Sequence, residues 1–321
     1  MANTASYFDR LASEAECIAI DAARDAGALI RQAWDKSKVL STKSGPADLV
    51  TDTDKAAERL IFGRIKRYFP THRFVGEEGT SEAGDLDNSA LAGYRHPVVV
   101  PRTGPDTGTP TWYVDPVDGT TNFVHGYPMS CVSIGLVVDD STPLMGVVYN
   151  PITDELFTAT RGKGARLNGR PMYVAGTQVS HPDPPLPTGL EALKSALVGT
   201  EVGASRVPEV VQATNSRLAA IMPHVRGIRA VGSCALQMCY VAAGRLDAFF
   251  EIGFGGPWDC AAGWCIVTEA GGVTVDPSGA AFSIGGRRVL CAANTHIAEA
   301  LAGVLSAVPC APSEPGYTPP E

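Results

Sequence analysis

The residues with the clearest capacity for chemistry lie in one segment, residues 111–123. Its first part is an apolar run of β-type residues that ends at Asp115, and Pro116 constrains the turn that leads to Asp118. Two carboxylates that converge on one point repel each other unless a cation lies between them. The glycine and threonines at 119–121 then offer N–H groups and hydroxyls of the kind that hold phosphates at helix starts. A cation beside a phosphate is the chemistry of a metal-dependent phosphatase.

Two further carboxylates in distant segments have the same potential. Glu77 follows a short apolar strand and lies in a glycine-flanked turn, and Asp259 is predicted to be the N-cap of a helix of small residues. Taken singly, each could be an ordinary turn or capping residue, and so could the Asp-Pro-x-Asp-Gly turn. A turn, however, requires neither both acids nor the Thr-Thr-Asn-Phe sequence that follows. We therefore favour a functional interpretation of the whole string.

Two strings carry a resemblance to a known family: DPVDGTTNF at 115–123 and WDCAAG at 258–263. Together they resemble the paired signatures of the inositol monophosphatase family, part of a superfamily of magnesium-dependent, lithium-sensitive sugar phosphatases. Similar segments extend from about residue 48 to residue 294 and include GEE at 76–78. The resemblance implies the family's layered αβαβα fold, of mixed α/β (α+β) class, with the active site between two subdomains.

The resemblance also implies an activity and the metal ions that support it. The expected reaction is Mg²⁺-dependent hydrolysis of a phosphate monoester, chiefly myo-inositol 1-phosphate, by direct attack of a metal-activated water. Two Mg²⁺ ions are expected, with a third, weaker one beside Glu77. The implied ligands of the first ion are Glu77, Asp115 and the carbonyl of Val117. Those of the second are Asp115, Asp118 and Asp259.

Further residues occupy positions that bind substrate or act in catalysis in the family. Glu77 and Thr120 match the catalytic positions, and the Thr120 hydroxyl matches the group that orients the attacking water. The substrate-binding positions are represented by Asp118, Gly119, Thr120, Cys234 and Glu251. Of these, Gly119 and Thr120 match the backbone N–H groups that hold the phosphate. Glu251 and the N–H of Cys234 match contacts to the inositol ring, and Lys43 matches a lysine near the metals.

These residues depend on elements that the apolar pattern predicts. Helical periodicity predicts one helix over about 7–34 and a second, capped by Asp52 or Asp54, that ends near residue 68. Residues 130–138 and 144–149 are predicted to form a hairpin. Helices alternate with strands from about residue 196 onward. The pattern by itself thus indicates a mixed α and β protein.

The length of the chain, 321 residues, favours two packed subdomains over one. We predict an N-terminal α+β subdomain over 1–175 that carries most metal ligands, and a C-terminal α/β subdomain over 176–308. The proline-rich tail at 309–321 is predicted to be disordered. Two segments are added to the compact family pattern: a long surface loop at 80–110 and a proline-rich stretch at 182–187.

Composition limits the partners and the compartment. A formal charge of −8 argues against nucleic acid or an anionic membrane as the main partner. No apolar run is long enough to span a membrane, and the charged start is no secretory signal. The eight cysteines contain no C-x-x-C pair, which favours reduced thiols and a cytoplasmic location. The expected partners are a small phosphorylated polyol and, by the resemblance, a second copy of the chain in a homodimer.

Two alternatives stay open from the sequence. The first is a related phosphatase that acts on a nucleotide 3′-phosphate, fructose 1,6-bisphosphate, NADP(H) or histidinol phosphate. The TTNF sequence favours the inositol type over the nucleotide phosphatases. The second is a binding or regulatory protein on the same scaffold, which the intact carboxylates at 77, 115, 118 and 259 argue against.

Overall fold

The structure is a computed structural model that describes residues 2–36, 40–42, 49–79, 108–176 and 186–317, apart from the side chains of residues 2–6, 40 and 42. Lys43, most of the long segment at 80–110 and most of the proline-rich stretch at 182–187 lie outside the described residues.

Seven α-helices and fourteen strands occur in the described ranges. The helices are α1 (Ala2–Trp34), α2 (Asp52–Tyr68), α3 (Thr120–His125), α4 (Pro208–Ile221), α5 (Cys234–Ala242), α6 (Pro257–Glu269) and α7 (Thr295–Ser306). The strands are β1 (Leu40–Thr42), β2 (Leu49–Thr51), β3 (Arg73–Gly76), β4 (Pro110–Asp118), β5 (Cys131–Val138), β6 (Thr142–Asn150), β7 (Glu155–Thr160), β8 (Ala165–Leu167), β9 (Arg170–Met172), β10 (Leu197–Thr200), β11 (Gly227–Arg229), β12 (Ala248–Ile252), β13 (Val273–Val275) and β14 (Arg288–Ala292).

Seven of these strands form the larger sheet, in the order β3-β4-β5-β6-β7-β8-β9. β3 and β4 run parallel, and the other pairs are antiparallel. Every residue of β5 is buried, and its sequence is mostly apolar and does not alternate with polar residues. The sheet is therefore covered on both faces.

The second sheet has five strands in the order β11-β10-β12-β14-β13. The helices α1 and α2 pack on one face of the larger sheet, and α5 and α6 lie between the two sheets. The outer face of the second sheet is covered by α4 and α7. The predicted αβαβα layering is thus confirmed. The predicted division after residue 175 separates the strands of the two sheets, and as a division into folding units it stays a prediction.

The helix α6 packs closely on the larger sheet, which explains its small residues. A Cβ atom on Gly135 of β5 would lie 2.7 Å from Ala261 Cβ, and one on Gly146 of β6 would lie 2.3 Å from the Ala262 carbonyl oxygen. On another side of the helix, a Cβ on Gly263 would meet Met238 of α5 at 2.7 Å. Interiors pack at the density of organic crystals, so such contacts admit no larger side chain.

The prediction of a disordered tail is wrong for residues 309–317. Glu314 is buried and accepts two hydrogen bonds from the Arg217 guanidinium of α4, at 2.7 and 2.5 Å. Glu314 also accepts a hydrogen bond from the backbone N–H of Ala311. A buried, bidentate ion pair of this kind anchors the segment to the second half of the molecule. Residues 318–321 lie outside the described part.

Two sequence expectations concern the chain as a whole. All eight cysteines are free thiols, as the absence of C-x-x-C pairs predicts. Among the described helices, none combines the length and the apolar character that crossing a membrane requires.

Candidate active site

A β-bulge at the end of β4 directs two carboxylates to one side of the sheet. Asp115 pairs with Ser133 of β5, but Asp118 pairs with Cys131, so β4 holds one extra residue between these pairs. Residues three apart on a regular strand point to opposite faces. The extra residue reverses that parity. Both carboxylates consequently line one cavity.

Asp118 is held by the turn that precedes α5. Its Oδ2 accepts hydrogen bonds from the Ser233 hydroxyl at 2.6 Å and from the backbone N–H of Ala235 at 2.7 Å. The Cys131 thiol also contacts Oδ2, at 3.9 Å. Because all three donors contact the same oxygen, Oδ1 is left for a ligand in the cavity. Residues from the second half of the chain thus orient a carboxylate of the first half.

Asp115 and Glu77 come together through the parallel pairing of β3 and β4. The register places Gly76 opposite Val114, and the Glu77 N–H donates to the Val114 carbonyl at 3.2 Å. Glu77 therefore follows β3 at the level where Asp115 follows Val114. The buried Glu58 of α2 supports this turn by accepting a hydrogen bond from the Glu78 N–H at 2.8 Å.

Asp259 lies in the first turn of α6 and is not its N-cap, which corrects the sequence prediction. The N-cap is Gly256, and Pro257 occupies the first helical position, where a missing N–H has no consequence. Asp259 Oδ2 accepts a hydrogen bond from the Gly255 N–H at 2.8 Å. The Ser133 hydroxyl of β5 donates to the Trp258 carbonyl and ties this end of α6 to the larger sheet.

Thr120 begins α3, and its hydroxyl has two acceptors. Thr120 Oγ1 lies 3.1 Å from Asp54 Oδ1 and 3.1 Å from the Val117 carbonyl oxygen. Asp54 is fully buried and belongs to a capping box with Thr51, the N-cap of α2. The N-cap of α2 is therefore Thr51, and the prediction of Asp52 or Asp54 as the cap is wrong. Gly119 before Thr120 has φ +89°, a conformation that favours glycine.

The site concentrates negative charge in a buried place. Burial, followed by repulsion from Glu77, Asp118 and Asp259, raises the pKa of Asp115 well above its ordinary range. Burial likewise raises the pKa of Asp259 strongly, and it raises the pKa of Asp118 to about 7. The hydrogen bonds from Ser233 and Ala235 act in the opposite direction on Asp118. Without a counter-charge, burial and mutual repulsion therefore disfavour the charged forms of Asp115, Asp118 and Asp259.

The chemistry of the donor set can be tested against a metal ion. No three His, Cys, Asp or Glu side chains of the described ranges stand in a coordinating arrangement. Asp115 instead exchanges hydrogen bonds with the carboxyls of Glu77 and Asp259. The oxygens that line the cavity come from carboxylates and a backbone carbonyl, the hard ligands that Mg²⁺ prefers. The donor set therefore fits magnesium, which would remove the mutual repulsion.

The cavity itself has a volume of about 650 Å³ and brings together most of the predicted site. The predicted residues that line it are Glu77, Asp115, Val117, Asp118, Gly119, Thr120 and Asp259. Cys234 and Glu251 do not line it. Both are buried, and a hydrogen bond from the Cys234 thiol reaches Glu251, whose Oε2 has no hydrogen-bond partner among the described residues. Burial, with repulsion from Glu201 and Asp259, raises the pKa of Glu251 well above its ordinary range.

Sequence reasoning missed several residues of this cavity. Arg206 and Arg287 line it and bring positive charge to its second-half wall. Arg206 donates to the carbonyls of Gly203 and Ser205, and Arg287 donates to the Phe254 carbonyl at 2.6 Å. Neither arginine lies in a motif, so no local signal identifies them. An acidic protein that binds an anion does, however, require local positive charge of this kind.

The comparisons with known proteins agree with this geometry. A family model described as the inositol monophosphatase family matches residues 11–309. Inositol monophosphatase 2 of Solanum lycopersicum is 48% identical over 289 residues, which cover 90% of this chain and 97% of that protein. Inositol monophosphatase 1 of Homo sapiens is 39% identical over 298 residues, which cover 92% and 95%.

Solved structures give the same result. The extragenic suppressor protein suhB from Bartonella henselae superposes with a TM-score of 0.70 at 32% identity, covering 90% of this chain and 96% of that one. The inositol monophosphatase from Anabaena (Nostoc) sp. PCC 7120 has a TM-score of 0.70 at 29% identity, covering 92% and 97%. In each comparison the match extends over at least 90% of both chains. The chain therefore belongs to the inositol monophosphatase family and is an enzyme that hydrolyses phosphate monoesters.

Proposed function

We propose that this enzyme hydrolyses myo-inositol 1-phosphate to inositol and phosphate in a Mg²⁺-dependent reaction. The observation that carries the proposal is the convergence of four carboxylates beside Gly119 and Thr120 in one cavity. Buried carboxylates that repel one another are unfavourable without a counter-charge, and a phosphate could not approach them. A cation removes both difficulties, which is why we propose a metal-dependent phosphatase and not a metal-free one.

Two Mg²⁺ ions would be held by five residues, which are Glu77, Asp115, Val117 (through its carbonyl), Asp118 and Asp259. A third, weaker ion would lie beside Glu77. When bound, the ions would neutralise charge on the phosphoryl group and the leaving oxygen and would lower the pKa of water. The pKa of each carboxyl would return toward its ordinary range, because the cation favours the ionised form.

The remaining steps fall to the chain's own groups. The backbone N–H groups of Gly119 and Thr120 would hold the phosphate, since the bulge and the positive φ of Gly119 direct this turn to the cavity. The Thr120 hydroxyl, placed by Asp54 and the Val117 carbonyl, would orient the attacking water together with Glu77. None of these roles requires a protein nucleophile.

The alcohol part of the substrate would meet the second half of the chain. Glu251 and the N–H of Cys234 are the proposed contacts to ring hydroxyls. The unpartnered, buried Oε2 of Glu251 supports this role, because a buried acceptor without a donor is unfavourable until a ligand supplies one. Because Glu251 does not line the cavity as it stands, this contact needs a shift of the side chain or of its cover.

The assay is phosphate release from myo-inositol 1-phosphate with and without Mg²⁺, beside fructose 1,6-bisphosphate, adenosine 3′,5′-bisphosphate and NADP. Strong, Mg²⁺-dependent preference for the inositol ester is the expected result. Preference for another ester would contradict the proposed substrate but leave the site assignment. No release by a folded protein that binds Mg²⁺ would contradict the proposal as a whole.

The homodimer and the cytoplasmic location stay predictions. Analytical sedimentation would test the first, and cell fractionation would test the second.

A further inference from the structure

The turn at 231–235 connects the two halves of the molecule at the active site. Its Ser233 hydroxyl and its Ala235 N–H both bind Oδ2 of Asp118. The backbone of Gly232 in the same turn lines the cavity. A displacement of this turn would therefore also displace the carboxylate of Asp118.

Glu201, at the end of β10, holds the N–H side of this turn. Its Oε1 accepts hydrogen bonds from the backbone N–H groups of Val231 at 2.9 Å and Gly232 at 2.7 Å. The Ser233 N–H also reaches the same carboxyl, and Gln237 of α5 donates to Oε1. A carboxylate that accepts several charge-assisted hydrogen bonds fixes its donors far more firmly than a neutral acceptor does.

Asn122, in α3, holds the carbonyl side of the same turn. Its Nδ2 donates to the carbonyls of Val231 at 2.8 Å, Gly232 at 3.2 Å and Met129 at 2.7 Å. Gly232 has φ +83°, and a Cβ there would lie 2.6 Å from Asn122 Nδ2. The turn is thus clamped on its carbonyl side by the first half of the chain and on its N–H side by the second.

We propose that Glu201 is a positioning residue for Asp118, which it fixes through the N–H groups of the 231–235 turn. The inference rests on the proposed function, because it takes Asp118 to be a magnesium ligand. Glu201 is not among the residues that line the cavity, so it would act on Asp118 through Ser233 and Ala235. Residues that orient metal ligands typically change metal affinity or activity by about 10- to 100-fold when they are removed.

The chain offers a matched control in Glu269. Its carboxylate also accepts hydrogen bonds from two turn N–H groups, those of Gly162 and Gly164, each at 2.9 Å. Like Glu201 it is only partly exposed, but it lies at the opposite end of α6 from Asp259. Removing either carboxylate therefore deprives one turn of the same kind of support, and only Glu201 supports a turn that binds Asp118.

The test compares Glu201→Ala, Glu201→Gln and Glu269→Ala with the unmodified enzyme. Mg²⁺ binding is measured by calorimetry without substrate, kcat and KM by phosphate release, and folding by thermal melting. For Glu201→Ala we expect Mg²⁺ affinity and kcat to fall by about 10- to 100-fold. Glu201→Gln keeps an amide oxygen for the N–H groups of Val231 and Gly232 but loses the carboxylate charge, so we expect its losses to lie between those of the unmodified enzyme and Glu201→Ala. Glu269→Ala should leave both quantities within about twofold, whatever its effect on the melting temperature.

The outcomes separate the two proposals. Glu201→Ala with unchanged Mg²⁺ affinity and kcat, or a matching loss in Glu269→Ala, would overturn the positioning role while the active unmodified enzyme upholds the proposed function. An unmodified enzyme that neither binds Mg²⁺ nor releases phosphate would overturn the proposed function itself. If Glu201→Ala does not fold, Glu201→Gln and Ser233→Ala are combined. If the double variant loses less kcat and Mg²⁺ affinity than the product of the two single-variant losses, Glu201 acts through the turn. If the two single-variant losses multiply, the positioning role is overturned.

Discussion

At the scale of single residues, the site depends on one inserted backbone position. Asp115 and Asp118 share a direction because the bulge in β4 adds a residue opposite β5. Asp115 is further fixed by the Val117 N–H, which donates to its Oδ1 at 2.9 Å. A deletion of one residue here would keep both acids in the sequence and place them on opposite faces of the sheet.

We expect Asp115→Asn or Asp259→Asn to lower kcat by roughly three orders of magnitude, since each removes charge stabilisation worth several kcal/mol. The fold should persist, because an amide of nearly the same size relieves repulsion among the carboxyls. Phosphate release and circular dichroism measure the two effects. Asp139→Asn is the matched control, because this exposed turn residue has φ 52°, which asparagine tolerates well. Near-normal turnover in either site variant would contradict the assignment.

Thr120→Ala should separate water orientation from metal binding. Losing the hydroxyl should lower kcat by about 100-fold, the usual scale of a positioned proton-transfer group. Mg²⁺ affinity, measured by calorimetry, should change by less than about threefold, since no proposed ligand is removed. Thr120→Ser keeps the hydroxyl 3.1 Å from Asp54 and should retain most of the rate. An equal loss of Mg²⁺ affinity in Thr120→Ala would contradict this division of roles.

At the scale of elements, α6 carries Asp259 to the larger sheet because glycines on two strands give it room. Gly135 and Gly146 face Ala261 and Ala262 across contacts too short for a Cβ. The small residues of the WDCAAG string are thus explained by packing, and its aspartate by its place in the first turn.

We expect Gly146→Ala to push α6 away from the sheet, because the new Cβ would lie 2.3 Å from the Ala262 carbonyl oxygen. Overpacking of this kind destabilises by about 1–3 kcal/mol and would also weaken Mg²⁺ binding through Asp259. Chemical denaturation and calorimetry measure the two effects. Gly303→Ala in α7 is the control: no atom of the described residues lies within 4 Å of its Cβ position, so stability should rise slightly. Unchanged stability and Mg²⁺ affinity in Gly146→Ala would contradict the packing argument.

The elements also show what could be predicted from sequence. The elements with a local signal, such as the helical period of α2 and the apolar runs of the β5–β6 hairpin, could be predicted because such patterns need only neighbouring residues. The proposed metal ligands were recognisable because their motifs are contiguous. The buried pair of Glu314 with Arg217 was not, because it joins residues 97 apart and overrides a composition typical of disorder. For the same reason Glu201 and the cavity arginines carry no local signal.

At the scale of the whole molecule, the carboxylate cluster couples stability to pH and metal. Burial raises the pKa of Asp118 from 3.8 to about 7, so the folded state without metal favours the proton. That contribution is complete below about pH 4 and is lost as the pH rises through about 7. We expect the melting temperature of the metal-free protein to fall by about 5 °C or more between pH 5 and pH 8.

Saturating Mg²⁺ should remove most of this fall, because the cation replaces the proton as the counter-charge. Differential scanning calorimetry with EDTA or with Mg²⁺ measures it. Asp118→Asn serves as the comparison, since it lacks the titrating group and should show a shallower dependence on pH. A metal-free protein that becomes more stable toward pH 8 would contradict the argument.

The position of α6 between the two sheets has a consequence for dividing the molecule. The helix is encoded in the second half of the chain but packs against Gly135 and Gly146 of the first. A fragment that ends near residue 176 would expose the face of the larger sheet that α6 covers. Neither fragment alone would hold the full set of carboxylates. Two fragments produced by cutting the gene there would therefore regain activity only when they reassociate. Fused to two other proteins, such fragments would report by their activity whether those proteins come together.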